Sequence, residues 1–176
     1  MIINLHGLAG SSENYNYNKV CKLYPDTAVY SPQIDYYRTS PETIMSSLTE
    51  IDQPIDLVIG NSFGGFFAYI LCGLLKYKCV LTNPCIPPDE YKNGVLQDYP
   101  DIYLRQMNDM FSKTDVDLDD VYMILGTNDS VLSPSITRGT VPTKHLWEVP
   151  DDHVFLSKEF KKVFKEVLEV ALGRLK

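Results

Sequence analysis

Leu57-Val58-Ile59-Gly60-Asn61-Ser62-Phe63-Gly64-Gly65-Phe66-Phe67 is the stretch on which the rest of the chain turns. An apolar, β-branched run enters G-x-S-x-G and leaves at once into Phe66 to Leu71, which has no polar face. This spacing predicts a short strand, a tight reversal and a buried helix. In that setting G-x-S-x-G is a nucleophile elbow, a turn that strains the serine backbone and exposes its Oγ. Gly60 and Gly64 stand where a side chain would collide with the neighbouring strand or helix, and Gly65 lets the helix approach the sheet. The helix aims its first amides and the positive end of its dipole at the serine, where an oxyanion would form. A phosphate-binding turn also places glycines at a helix start. The pentapeptide alone therefore leaves two readings open.

Working outward, short apolar runs alternate with helical stretches, the pattern of a mostly parallel sheet covered on both faces. Six strands are predicted, at Ile2 to Leu5, Thr27 to Tyr30, Leu57 to Ile59, Cys79 to Thr82, Val121 to Leu125 and Leu146 to Val149. One helix follows Ser11-Ser12 and ends by Tyr24. Ser40 as N-cap with Pro41 at the first helical position announces another, whose buried face is Ile44, Met45, Leu48 and Ile51. The helix from Gly64 to about Lys76 is apolar almost all round, so it must be covered on every side. Ser133-Pro134 repeats the cap signal for a short helix, and an amphipathic helix from about Ser157 closes the chain. The expectation is a single α/β domain over residues 1–176, a three-layer α/β/α sandwich. Only residues 84–120 break the alternation. They hold Pro84, Pro87, Pro88, Asn93-Gly94 and Pro100, then a short helix from Asp101 to Phe111 carrying Ile102, Leu104, Met107 and Met110. Connections in such folds usually run about 2–6 residues, so this insertion is expected to act as a lid or cap.

Composition narrows the function. With 44% apolar and 22% charged residues the chain reads as globular, and no apolar run reaches the roughly 18 residues of a membrane span. A net charge of −7 disfavours nucleic acid, whose phosphates call for a Lys/Arg surplus. The lysines of the last helix, Lys158, Lys161, Lys162 and Lys165, alternate with Glu159, Glu166 and Glu169 and read as a solvated face. Met1-Ile2-Ile3-Asn4-Leu5 lacks the basic segment and cleavage site of a secretory leader, so a cytoplasmic location is expected. Cys21, Cys72, Cys79 and Cys85 lack C-x-x-C spacing and fit reduced thiols rather than a disulfide frame or zinc site. No metal, cofactor, nucleic-acid or membrane partner is expected, and the sequence assigns no oligomeric state.

An elbow serine needs a base, an acid to orient that base, and a second oxyanion donor. His6-Gly7-Leu8 follows the first strand and matches the H-G-x pattern whose third residue offers its backbone N–H to an oxyanion. Leu8 and Phe63 are thus the expected donors. Asp129 follows the fifth strand in Gly126-Thr127-Asn128-Asp129, and His153 follows the sixth in Asp151-Asp152-His153-Val154-Phe155. Strand ends along one edge of a parallel sheet are where sites collect, so Ser62, Asp129 and His153 are expected to converge. The rivals have other work. His6 belongs to the oxyanion loop and His145 begins a strand; Asp151 and Asp152 are too near His153 in sequence to orient its ring from behind. Asp119 and Asp120 precede their strand and fall at the opposite edge, while Asp35 is expected to cap a turn. Tyr36, Tyr37, Tyr99 and Tyr103 either line an acyl or alcohol pocket or simply fill clefts of a small domain.

Taken together, these motifs resemble those of the α/β-hydrolases, and more narrowly of the small YqiA-like esterases. The resemblance rests on the opening strand running into His6-Gly7 with Ser11-Ser12, on Gly60-Asn61-Ser62-Phe63-Gly64-Gly65, on Asn83-Pro84 with Pro87-Pro88, on Gly126-Thr127-Asn128-Asp129, and on Asp152-His153-Val154-Phe155. It implies a minimal α/β-hydrolase fold without the antiparallel hairpin that opens larger members, with strand order 2-1-3-4-5-6. Asp152 stands where many hydrolases place Gly, and Ser130 where a second acid or a basic residue often follows the Asp. The expected activity is carboxylesterase or thioesterase chemistry through Ser62, His153 and Asp129 and an acyl-enzyme. The same residues could serve C–C hydrolysis or lyase chemistry, and such folds also host non-catalytic binding proteins. Residues 84–120 carry Asp89, Glu90, Lys92, Asn93, Asp98, Arg105 and Asn108, a poor wall for a long chain. A long-chain site gains about 0.8 kcal/mol per buried methylene, so acyl groups from acetyl to about hexanoyl are expected here.

Overall fold

The computed structural model describes residues 1–174; the last two positions of the expected 1–176 unit lie outside the described residues. Strands β1 (Ile2–Leu5), β2 (Val29–Tyr30), β3 (Leu57–Asn61), β4 (Cys79–Thr82), β5 (Val121–Gly126) and β6 (His145–Val149) form one sheet. Their order is β2-β1-β3-β4-β5-β6, as the resemblance implied, and every neighbouring pair is parallel. Alternate side chains of a strand face opposite ways, and the two faces have separate partners. Ile2, Leu57, Ile59, Val80, Tyr122 and Ile124 pack with the apolar sides of α1 (Tyr15–Leu23) and α6 (Lys158–Ala171). Ile3, Leu5, Val58, Leu81 and Met123 pack with α2 (Pro41–Thr49), α3 (Phe63–Leu75) and α4 (Asp101–Lys113). A short α5 (Pro134–Thr140) precedes β6. The result is the α/β/α sandwich, with α3 buried from Phe63 to Gly73.

The cap signals work as written. Ser40 Oγ accepts the Thr43 N–H at 3.1 Å and Ser157 Oγ accepts that of Phe160 at 2.9 Å. Asn14 caps α1, accepting the Tyr17 N–H at 3.0 Å. The strand expected from Thr27 pairs only from Val29, because the Thr27 N–H turns back to the Tyr24 carbonyl at the end of α1, 3.0 Å away. Residues 84–120 are packed into the main core through Tyr91, Leu96, Tyr99, Leu104 and Met107, and α4 lies against α2. Leu104 and Met107 of α4 are buried, whereas Ile102 faces solvent.

Candidate active site

β3 runs straight into the turn, and Ser62 adopts φ 50° and ψ −118°, the left-handed region that a side chain rarely enters. Its amide donates to the Thr82 carbonyl at 2.9 Å, and its own carbonyl accepts from Gly65 and Cys85, both at 2.9 Å. The reversal is tight enough that a Cβ at Gly64 would overlap the carbonyl oxygens of Leu5 and His6. These contacts also bring the loop after β1 against the elbow. A Cβ on Gly7 would sit 3.3 Å from the Cβ of Ser62. That loop is held from below by Tyr36, whose hydroxyl donates to the His6 carbonyl at 2.8 Å. Both ring nitrogens of His6 are occupied: Nε2 accepts the Ile34 N–H at 3.0 Å, so Nδ1 carries the proton given to the Gly7 carbonyl at 2.7 Å. His6 is a buried brace. The backbone N–H groups of Leu8 and Phe63 donate to no group among the described residues.

Across the sheet edge, the loops after β5 and β6 bring Asp129 and His153 to Ser62. His153 Nδ1 lies 2.9 Å from Asp129 Oδ2, and His153 Nε2 lies 3.0 Å from Ser62 Oγ. A carboxylate can only accept, so Nδ1 carries the proton and Nε2 is left to accept from the Ser62 hydroxyl. Asp129 is itself fixed: Oδ1 accepts the N–H groups of Val131 and Leu132, each at 2.8 Å, and the side chain is 1% exposed. Asp152 ties the two loops together. Its Oδ1 accepts from the Ser130 amide and hydroxyl, both at 2.8 Å, and from the His153 amide at 2.6 Å. These bonds, those from the Ser130 and His153 amides foremost, hold the Asp152 carboxyl below the usual carboxylate range. Asn83, buried and also at positive φ, accepts the Gly126 N–H at 2.7 Å and donates to the carbonyls of His153 and Asp152 at 3.2 and 3.4 Å.

The Uncharacterised protein family (UPF0227) model matches residues 1–168. The chain belongs to this family. A UPF0227 protein of Serratia proteamaculans (strain 568) is 27% identical over 171 residues, which span 88% of this chain and 91% of that relative. Est1E from Butyrivibrio proteoclasticus, solved with ferulic acid bound, is similar with a TM-score of 0.67 at 16% identity, covering 98% of this chain and 88% of its own. MGS-MChE2, an alpha/beta hydrolase enzyme from the metagenome of sediments of the lagoon of Mar Chica, Morocco, has a TM-score of 0.65 at 20% identity, covering 96% and 90%. These likenesses establish the α/β-hydrolase fold.

In this UPF0227 chain the remaining candidates fall where their surroundings send them. Asp35 caps a turn, accepting the Tyr37 N–H at 3.2 Å. Asp151 accepts the Ser157 hydroxyl at 2.5 Å ahead of α6. His145 opens the edge strand β6 and stacks on Tyr122 with centroids 4.6 Å apart. Of the four tyrosines, Tyr36 and Tyr99 are buried against Phe63, each with ring centroids 5.0 Å from it, whereas Tyr37 is exposed. Burial drives the Tyr36 and Tyr99 phenols well above their ordinary range, which suits neutral braces. A cavity of about 390 Å³ among Ile2, Thr27, Asp56, Lys78 and Arg174 lies at the N-terminal ends of the strands, away from Ser62. A smaller one, about 190 Å³, lies beside His153 and Asn61. Asn83 and Asp152 had no role assigned from sequence. Asn83-Pro84 was visible as a motif, and Asp152 as an acid in place of Gly, but what each holds depends on loops far apart in the chain.

Proposed function

We propose that this chain is a serine hydrolase that cleaves short-chain carboxylic esters or thioesters through an acyl-enzyme, with Ser62 as nucleophile, His153 as base and Asp129 as orienting acid. The observation that carries the reading is the His153 ring, bonded at one nitrogen to Asp129 and at the other to Ser62 Oγ. Ser62 Oγ attacks the carbonyl carbon as His153 Nε2 takes its proton, and Asp129 stabilises the resulting imidazolium. The amides of Leu8 and Phe63, without an acceptor among the described residues, receive the charge on the carbonyl oxygen, each donor lowering the barrier by about 3 kcal/mol. His153 then returns its proton to the leaving oxygen or sulfur, and water repeats the sequence to release the acid. Two structural neighbours support the reading by their names, one as a hydrolase enzyme and one bound to ferulic acid, a carboxylic acid. No step uses a metal or cofactor. The test is fluorophosphonate labelling with peptide mapping, beside turnover of p-nitrophenyl esters from acetate to palmitate. The adduct is expected on Ser62 and absent from Ser62→Ala, with kcat/KM highest between acetate and about hexanoate. An adduct on Ser11, Ser12 or Ser133 overturns the assignment, and a maximum at laurate or longer overturns the short-chain reading.

A further inference from the structure

The cavity of about 190 Å³ beside His153 is lined by Tyr15, Asn16, Asn61, Val154 and Phe155 among others. Two of its lining side chains, Asn16 and Asn61, belong to a polar network with fixed polarity. The hydroxyl of Thr82, wholly buried, donates its single proton to the Gly60 carbonyl at 3.4 Å. It can therefore only accept from Asn16 Nδ2 at 3.3 Å and Asn61 Nδ2 at 3.1 Å. Asn61 Nδ2 also meets the Thr82 carbonyl at 3.4 Å, a contact that requires an N–H. Both amides thus turn their NH₂ groups to Thr82 and their oxygens away from it. Among the described residues neither Asn16 Oδ1 nor Asn61 Oδ1 accepts a hydrogen bond, and neither is sealed from solvent. Asn16 and Asn61, each with a carbonyl oxygen that has open lone pairs, are among the residues lining the cavity, and the rings of Tyr15 and Phe155 supply apolar walls.

We infer that this cavity receives the leaving alcohol of the substrate, and that this alcohol carries at least one hydroxyl group besides the esterified one. The inference rests on the serine-hydrolase reading above. His153 Nε2 must hand its proton to the leaving oxygen, so the leaving group lies on the His153 side of Ser62. The cavity is lined by His153 and the two residues after it, and by neither Leu8 nor Phe63, where the carbonyl oxygen goes. In acylation the Ser62 Oγ–acyl bond forms, the bond from the acyl carbon to the alcohol oxygen breaks, and the proton lost by Ser62 ends on that oxygen. The alcohol's further hydroxyls donate to Asn16 Oδ1 and Asn61 Oδ1. An alkyl alcohol offers them nothing, and an ether offers only a second acceptor.

The experiment compares kcat/KM for the 2,3-dihydroxypropyl, propyl and 2-methoxyethyl esters of butyric acid, with fluorophosphonate labelling of Ser62 run in parallel. Two neutral hydrogen bonds predict a preference of about tenfold for the dihydroxypropyl ester over both others, collapsing to below about threefold in Asn16→Ala. A second measurement needs no variant. By microscopic reversibility an accepting alcohol binds where the leaving alcohol left, so the acyl-enzyme formed from p-nitrophenyl butyrate should transfer its acyl group to glycerol in preference to propan-1-ol. Equal rates for the three esters, or equal partition between the two alcohols, with Ser62 still labelled, overturns the alcohol site and leaves the hydrolase reading standing. A protein that neither labels nor turns over any ester overturns both.

Discussion

Ser62 and His153 reach the same point by different means. Ser62 is placed by backbone sterics: β3, the turn and α3 are continuous, and the space around Gly64 is filled by the carbonyls of Leu5 and His6. His153 and Asp129 sit on separate loops that would have no fixed relation without side chains to tie them, and Asn83 and Asp152 supply the ties. Steric placement is all or nothing, because a methyl group either fits or does not. Placement by hydrogen bonds is graded, since each bond removed loosens the loops by its own amount. Substitutions on the two sides should therefore fail differently, the first by unfolding and the second by losing activity or part of the stability.

The sharpest way to separate the two sides is Asp129→Asn. The folded structure should survive, because an amide is nearly isosteric and its oxygen can still accept the Val131 and Leu132 amides. Its NH₂ then faces His153, holds the ring in the wrong tautomer and cannot stabilise an imidazolium. On the proposed mechanism kcat falls by about 10⁴, with the melting temperature and circular dichroism close to those of the parent. A loss below tenfold would remove Asp129 from the chemistry.

Gly64→Ala tests the other side. The new Cβ would meet backbone carbonyls of Leu5 and His6, which cannot swing aside as a side chain can. Overpacking of this kind usually costs about 1–3 kcal/mol, and the rigid partners put this case at the upper end or beyond. Urea titration should show the lost stability directly. A variant as stable as the parent would mean that the elbow can relax, and that the contrast between the two sides is one of degree.

Asn83→Ala comes next. It leaves the buried Gly126 N–H without its acceptor and frees the carbonyls of Asp152 and His153, and an unsatisfied buried group costs about 1–3 kcal/mol. Because the freed carbonyls belong to the loop that carries His153, kcat should, on the proposed mechanism, fall along with stability. Stability lost with kcat unchanged would show that the loop holds His153 without Asn83.

The same contrast governs what the sequence makes legible. Strands β1 and β4 and the cap of α2 are announced by apolar runs and N-cap residues, and the elbow by its own G-x-S-x-G, although distant Leu5, His6 and Thr82 close around it. The convergence of Ser62, Asp129 and His153 was also legible, because parallel strands put all three at one sheet edge. What periodicity does not carry is contact between distant loops. Tyr36 stood open between lining a pocket and filling a cleft, and only the fold brings its hydroxyl under the His6 carbonyl, 30 positions away. Asp152 read as a departure from a glycine, since nothing in the chain says that Ser130 will lie beside it. The start of β2 was misplaced for the converse reason. Thr27 has strand-forming chemistry, but the turn after α1 claims its N–H first.

Asp152→Asn should give the smallest effect and the most selective one. All three bonds to Asp152 end on Oδ1, so an asparagine can keep its oxygen there and put its NH₂ where Oδ2 faces water. Geometry is preserved and only the charge is lost, which weakens charge-assisted bonds without removing them. The carboxyl is held below its usual range in the folded protein, so the extra stability of the ionised form is fully present above the unfolded carboxylate value. It disappears as the pH falls through the lowered folded value. The parent should accordingly melt at a higher temperature than Asp152→Asn at neutral pH, by less than it exceeds Asn83→Ala, and the two curves should draw together in acid. Asp152→Ala, which removes the acceptor altogether, should lose stability at every pH and also lower kcat, because the His153 amide and Ser130 are then released together. A gap between the parent and Asp152→Asn that stayed constant from neutral pH down to about pH 3 would show that the charge of Asp152 has no part in joining the two loops.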